Sequence, residues 1–254
     1  MAAFDEYSKR YRSIHMRREA GILEIRLHSD EGPLRFSLAP HGEMVRAFTE
    51  IAQDSENEVV ILTGTGDEFI GPVIPPLGLS HRREIHGDPI YWEQGSLIAN
   101  LLNIPVPMIA AVNGPAVRHA EVALLCDIVL AAEEATFQDS SHFSAGLVPG
   151  DGVHVVFPML MGANRGRYFL LTGQTLSARE AKDYGLISEV LPAANLLARA
   201  WEHAREIMRR PPLVRRYSRI LLTQDLKKRM QDLLGLGLSL ESLAGMMRPP
   251  RSSG

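Results

Sequence analysis

Apolar and polar positions recur along this chain with two different periods, and the change from one to the other divides it. Residues 21–27 set Ile22, Glu24 and Arg26 against Leu23, Ile25 and Leu27, the two-residue period of a strand. Residues 41–54 instead place Met44, Val45, Phe48 and Ile51 at helical spacing. Val59-Val60-Ile61-Leu62 is a short apolar run closed by Thr63-Gly64-Thr65-Gly66, which reads as a buried strand and a turn. Residues 90–103 predict a second helix. Residues 107–112 predict another buried strand, ended by Asn113-Gly114-Pro115, and residues 127–132 a third. Buried strands alternating with helices imply an α/β fold with a largely parallel sheet. Ligands of such sheets sit beyond the carboxyl ends of strands, here residues 63–76 and 113–121.

Beyond Gly162 the helical period takes over. Residues 165–171, 178–184, 196–208, 213–228 and 230–246 predict helices, with Gly173 and Gly185 at helix-ending positions. The expected organisation is an α/β core over residues 1–200 and a helical region over 201–254, whose tail from Arg248 frays. Residues 78–88 are polar, carry His81 and His86, and read as a mobile loop.

Composition narrows the function classes. At 254 residues the chain can bury a sizeable core without disulfides or metals. A net charge of −3 offers no electrostatic case for nucleic acid. Arg209, Arg210, Arg215 and Arg216 read as a solvated helix face. No apolar run reaches the ~18 residues of a membrane helix, and Met1 to Ser8 lacks a signal peptide's apolar stretch. A soluble, cytoplasmic protein without a membrane partner is expected. Cys126, the single cysteine, excludes an internal disulfide and reads as a small core residue.

Five segments in series carry a resemblance. Val59 to Gly64, Pro107 to Ala116, Cys126 to Ala131, Gly146 to Gly152 and Leu171 to Ala181 resemble the crotonase (enoyl-CoA hydratase/isomerase) superfamily, in the expected order over about residues 15–225. The resemblance implies a core of ββα units wound in a spiral, with C-terminal helices packing between subunits of a homotrimer or hexamer. The departures point further. Where that superfamily has Phe-(small)-Ala-Gly-Ala-Asp, this chain has Phe69-Ile70-Gly71-Pro72-Val73-Ile74-Pro75-Pro76, and prolines supply no N–H donor. Where it has three glycines after Asn-Gly-x-Ala, this chain has Val117-Arg118-His119. These departures resemble one branch, 6-oxocamphor hydrolase and related alicyclic β-diketone hydrolases. The matching segments are Asn113 to Pro115 with His119-Ala120-Glu121, Ala135 to Asp139 with His142-Phe143, Val148 to Val156, and Asn164 to Gln174. The branch implies His142 and Asp151 as a paired base and His119 on the substrate carbonyl, with His41 and Glu241 in support. It implies a small alicyclic diketone as substrate, with no CoA, no other cofactor and no metal.

The residue types suit that chemistry. Water attacking an unactivated ketone needs a general base near neutrality, which histidine provides. A carboxylate on the other ring nitrogen fixes the tautomer. His142 and Asp151 are separated by Pro149 and Gly150, which can turn the carboxylate back to the ring. C–C cleavage releases an enolate whose charge needs a donor, a role for His119 at the head of a helix. Phe36, Phe69, Ile70, Trp92 and Leu147 are candidate pocket residues, though a core role is the stronger expectation for each. Asp151 could instead cap a helix. Glu241, in amphipathic Leu238 to Leu243, reads by pattern as solvated; Glu121 matches a catalytic acid of hydratases in this fold; His154 reads as a satisfied core histidine. No metal-ligand spacing occurs, and Gly64-Thr65-Gly66 is a turn rather than a phosphate loop. The competing readings are a CoA-thioester hydratase, isomerase or thioesterase, and a non-catalytic subunit of this fold.

Overall fold

The computed structural model describes residues 4–71 and 87–247, without the side chains of 87–91. His81, His86, the segment from Pro72 to Pro76 and the tail from Arg248 lie outside the described residues, as does the expected loop at 78–88 except its last two residues, which begin a helix. The strands are β1 (Ile14–Glu19), β2 (Ile22–Leu27), β3 (Val59–Thr63), β4 (Met108–Val112), β5 (Ile128–Ala132), β6 (Thr136–Phe137), β7 (Leu176–Ser177) and β8 (Glu189–Leu191). The helices are α1 (Phe4–Tyr7), α2 (Leu38–Gln53), α3 (Gly87–Asn103), α4 (Glu121–Leu124), α5 (Val153–Met161), α6 (Ala163–Thr172), α7 (Ala178–Asp183), α8 (Ala193–Met208), α9 (Pro212–Leu222) and α10 (Gln224–Met246).

One sheet runs β1-β2-β3-β4-β5-β8, parallel except for the β1–β2 hairpin. Ala20 and Gly21, both at positive φ, make the tight turn of that hairpin. The charged face of β1 hid it from the apolar pattern. β3, β4 and β5 are almost wholly buried, as continuous apolar runs require in a sheet covered on both faces. After each of these strands the chain crosses to a second, ragged layer, where Ile70 bridges Ala116, Ala116 bridges Phe137, and β6 pairs with β7. This is the crotonase fold, an α/β spiral of strand, strand and helix.

Asn113 fastens two turns of that spiral. Its Oδ1 accepts from Gly64 N at 3.0 Å, and its Nδ2 donates to the carbonyls of Gly66 at 2.9 Å and Glu68 at 3.0 Å. α8 lies across β3, β4 and β5 and covers the polar side of β2. Glu24 is therefore buried rather than solvated, and accepts from Trp201 Nε1 at 2.8 Å while pairing with Arg17 and Arg26. α8 also runs unbroken through residue 200, so the boundary expected there falls inside one helix.

The C-terminal helices are stapled down by polar groups. Arg219 of α9 is 2% exposed, donates Nε to the Ile104 carbonyl at 2.7 Å and pairs with Asp127. Arg215 was expected on a solvated face; it is buried, donates to the Met208 carbonyl and pairs with Glu58, while Arg209 and Arg210 do stay exposed and pair with Glu206. The helical break falls at Thr223, several residues before the expected one, where the hydroxyl donates back to the Arg219 carbonyl. No described helix is long and apolar enough to cross a membrane.

α10 returns to the core and packs on α3 and α5. Its approach is closest at Gly237. A Cβ there would lie 2.4 Å from the Gly150 carbonyl oxygen, and one on Gly150 would lie 2.2 Å from that of Gly237. The two backbones touch, and one helical turn beyond Gly237 comes Glu241. Gly237→Ala is therefore expected to cost about 1–3 kcal/mol through overpacking. At about 2–4 °C per kcal/mol for a chain of this size, thermal melting should show a fall of several degrees.

Candidate active site

The loops after β4 and β6 deliver most of the polar groups. His119 ends the β4 loop with φ at +46°, in the left-handed region where non-glycine residues are uncommon. The resemblance places a glycine there, so the backbone has kept the glycine's conformation while carrying an imidazole. Its ring is buried and bonds Glu121 Oε1 through Nδ1 at 2.6 Å. Nε2 is thereby the nitrogen left for another partner. The helix that follows, α4, is one turn long, so its dipole adds little; the Glu121 carboxylate is the larger field.

His142 comes from the loop after β6, just before a short 3₁₀ turn at Phe143–Ala145. It is 3% exposed and held at both nitrogens. Nδ1 bonds Asp139 Oδ1 at 2.6 Å; Nε2 lies 3.2 Å from Asp151 Oδ2 and 3.7 Å from Glu241 Oε1. Asp151 stands one residue before Gly152, the actual cap of α5, and so is not itself the cap. Its Oδ2 also lies 3.7 Å from His119 Nδ1. A single carboxylate oxygen therefore stands between two imidazoles.

The structure alters several expectations. The carboxylate on His142 Nδ1 is Asp139, not Asp151, which faces Nε2. Asp139 had been visible only as part of a matching segment; its spacing of three residues before His142 was the available signal. Glu241 is not solvated, because the Gly150–Gly237 contact draws its turn of α10 inward, and its Oε2 is buried. Trp92 lies on α3, 67% exposed, and is neither core nor a lining residue against these groups. Phe69 and Ile70 are wholly buried in the core. Phe36 does enter the cluster: its ring centroid is 4.3 Å from that of His119 and 5.9 Å from that of His41. His154 is half-buried against α10 and only partly satisfied, with Nε2 3.4 Å from the Leu233 carbonyl and Nδ1 without a partner. Cys126 is core, its thiol pushed up to about 12 by burial.

His41 falls in the first turn of α2, which begins earlier than its apolar spacing suggested because Pro40 needs no N–H partner there. Its Nε2 lies 2.6 Å from Gln94 Oε1, and Gln94 Nε2 donates to the Asp151 carbonyl at 3.2 Å. Gln94 was not singled out from sequence, yet it links His41 to Asp151. The amide oxygen facing Nε2 makes that nitrogen the protonated one and leaves Nδ1 an acceptor.

The charges are tightly linked. Burial works against the imidazolium of His142, but the Asp151 charge and the bonds to Asp139, Asp151 and Glu241 outweigh it and raise its pKa. Burial likewise opposes the Asp151 carboxylate, and His142 beside it more than compensates, holding Asp151 well below the usual carboxylate range. His119 is raised despite burial because Glu121 adjoins it. Burial raises Glu121 and Glu241. Burial and then the His119 charge depress His41 to about 4, so it is neutral at neutral pH. Two triplets, His119 with Glu121 and Asp151, and His142 with Asp151 and Glu241, hold donor types that suit a divalent cation. Their separations of 2.6 and 3.2 Å are those of hydrogen-bonded ion pairs already formed within the protein.

The segment that supplies an N–H to thioester carbonyls in the resembling superfamily here spends two of its N–H groups internally. Phe69 N donates to the Pro115 carbonyl at 3.0 Å and Gly71 N to that of Leu34 at 3.3 Å. The arrangement can take up and return a proton at His142 and Asp151, and can place a donor from His119 against an oxyanion.

The enoyl-CoA hydratase/isomerase family profile matches residues 17–240. A putative enoyl-CoA hydratase/isomerase, YngF of Bacillus subtilis (strain 168), is 32% identical over 211 residues, 80% of this chain and 78% of that protein. Among solved structures, a β-diketone hydrolase from the cyanobacterium Anabaena sp. PCC 7120, bound to (S)-3-oxocyclohexyl acetic acid, is 43% identical; the match covers 95% of this chain and 97% of that one, with a TM-score of 0.91. An enoyl-CoA hydratase/isomerase from Mycobacterium paratuberculosis, 24% identical and with a TM-score of 0.83 over 93% of this chain and 95% of that one, shares the fold.

The depressed His41 has a consequence for stability. With an unfolded pKa near 6.5 and a folded one of about 4, the unfolded chain takes up a proton that the native state refuses as pH falls from 6.5 to 4. Stability is lost over that window. His41→Gln removes the effect, so the decline in urea-derived stability between pH 7 and pH 4.5 should be shallower by about 2 kcal/mol.

Proposed function

This chain belongs to the enoyl-CoA hydratase/isomerase family, and we propose that it hydrolyses the carbon–carbon bond between the carbonyls of a cyclic β-diketone. The observation that carries this reading is Asp151 Oδ2, set 3.2 Å from His142 and 3.7 Å from His119. Water adds to one ketone carbon, its proton passing to the His142–Asp151 pair and its hydroxyl forming a tetrahedral alkoxide. The alkoxide collapses to a carboxylic acid as the C–C electron pair leaves to the neighbouring carbon. The second carbonyl spreads that charge as an enolate, and His119 donates to its oxygen. The proton held by the pair returns to carbon, giving a keto acid. His41 and Gln94 hold Asp151 from behind, and Glu241 faces the same His142 nitrogen. The Anabaena hydrolase, 43% identical and bound to a keto acid, supports the same chemistry.

A thioester substrate has support in the curated relatives and in the buried Glu121. Against it stand the internally bonded N–H groups of Phe69 and Gly71 and the imidazole at position 119.

The protein is proposed to be a cytoplasmic homotrimer or hexamer. α9 and α10 expose the apolar side chains of Leu213, Tyr217, Leu222, Leu236 and Met246, which a subunit contact would cover.

The test is loss of the β-diketone ultraviolet band on monocyclic and bicyclic 1,3-diketones, without CoA. Wild-type turnover to a keto acid and a drop of about 10²–10⁴ in His142→Ala are expected, with circular dichroism establishing that the variant is folded at the assay temperature. Absence of turnover with binding of an acyl-CoA instead would transfer the chain to the thioester reading. A second measurement addresses Asp139, which favours the His142 imidazolium and so raises its pKa. Asp139→Asn removes that charge but keeps an acceptor at Nδ1. The acidic limb of the kcat profile should move to lower pH, with kcat reduced by about tenfold or more as the base weakens. An unmoved limb would mean that Asp139 only packs.

A further inference from the structure

Arg118 precedes His119 in the same loop and has no hydrogen-bond or ion-pair partner among the described residues. Its Nε is buried with no hydrogen bond among the described residues, and its Cζ sits 5.2 Å from the ring centroid of Phe36, the ring that stacks on His119. The acids of the site, Asp151, Asp139, Glu121 and Glu241, act on it through space and not by contact. Burial opposes its charge, and those distant acids offset only part of the effect, so its pKa is lowered from the ordinary value. A guanidinium presents five donors in a planar fork suited to a carboxylate. The other site cation-formers are engaged: His142 at both nitrogens and His119 through Nδ1.

We propose that Arg118 is a carboxylate-binding group of the active site, taking the carboxylate that the cleavage creates. The inference rests on the diketone reading above. A neutral diketone offers this guanidinium no charge. The tetrahedral alkoxide is the first anion to form, and the keto acid carries the lasting one. A cation left unpaired in the free protein and paired only as negative charge develops stabilises the later states over the substrate. It also makes the product a better ligand than the substrate, so the keto acid should inhibit. The alternative role for Arg118 is a fixed counter-charge to the four acids, which would make no distinction between an acid and its ester.

Binding can be measured without turnover. The probes are 3-oxocyclohexylacetic acid and its methyl ester, titrated calorimetrically at pH 7.5 into wild-type protein, Arg118→Lys and Arg118→Met. The expected result is at least a tenfold preference of the wild type for the acid. That preference should fall in Arg118→Lys, which keeps charge but loses the fork, and vanish in Arg118→Met, with ester binding changed less than threefold. Far-ultraviolet circular dichroism and melting establish that each variant is folded. A preference that survives in Arg118→Met, or equal loss of acid and ester binding in both folded variants, would overturn the assignment. If the preference depends on Arg118 but no diketone is turned over, the carboxylate site stands and the hydrolase reading falls. If diketones are turned over and Arg118→Met still prefers the acid, the reverse holds.

Discussion

The arrangement of this site depends on one buried carboxylate. Asp151 costs desolvation free energy where it stands, and it is tolerated because two imidazoles face the same oxygen. Each imidazole then needs its own outer support, which Asp139 gives His142 and Glu121 gives His119. His41 stays neutral in part because the His119 charge is near, and it holds Asp151 only through Gln94. Removing a charged member of this row, such as His142 or Asp139, would leave its partner's charge less well paired in a buried setting, the costly way to break a polar network.

Much of the scaffold was legible because burial writes itself into composition. The runs at 59–62, 107–112 and 127–132 became β3, β4 and β5, buried on both faces as their unbroken apolar character required. β1 was not legible, since charged or polar His15, Arg17 and Glu19 alternate on an edge strand where charge is tolerated, and Arg18 adds a further charge. Helix boundaries shifted where a cap or a proline, and not apolar spacing, decides them, as at Ser37 and Thr223.

Candidate chemistry was less evenly legible. His119, His142 and Asp151 were visible because polar residues stood where the resembling superfamily keeps glycine or other types. The geometry brings them within 4 Å of shared partners, and their catalytic roles are those proposed above. Asp139 and Gln94 gave no comparable signal, because a carboxylate or an amide near a turn is ordinary and its importance lies in which nitrogen it faces. Arg215 and Glu241 misled for a related reason. Their helices look amphipathic in isolation, and only the packing of α9 and α10 onto the core shows that the polar face is also covered.

The touching backbones of Gly150 and Gly237 carry a consequence for the time at which the site exists. Phe36 and His41 emerge from the ribosome first, His142 and Asp151 about a hundred residues later, and Glu241 a further 90 residues after Asp151. Chains fold largely from the N-terminus while synthesis continues. The central parallel strands can therefore pair long before α10 arrives to seat its glycine on the Asp151 loop. Until then the acid–base row lacks its last carboxylate and its cover, and a nascent chain holds the sheet without the finished site. The site is complete only once α10 is in place, so synthesis of that helix is the step that finishes it.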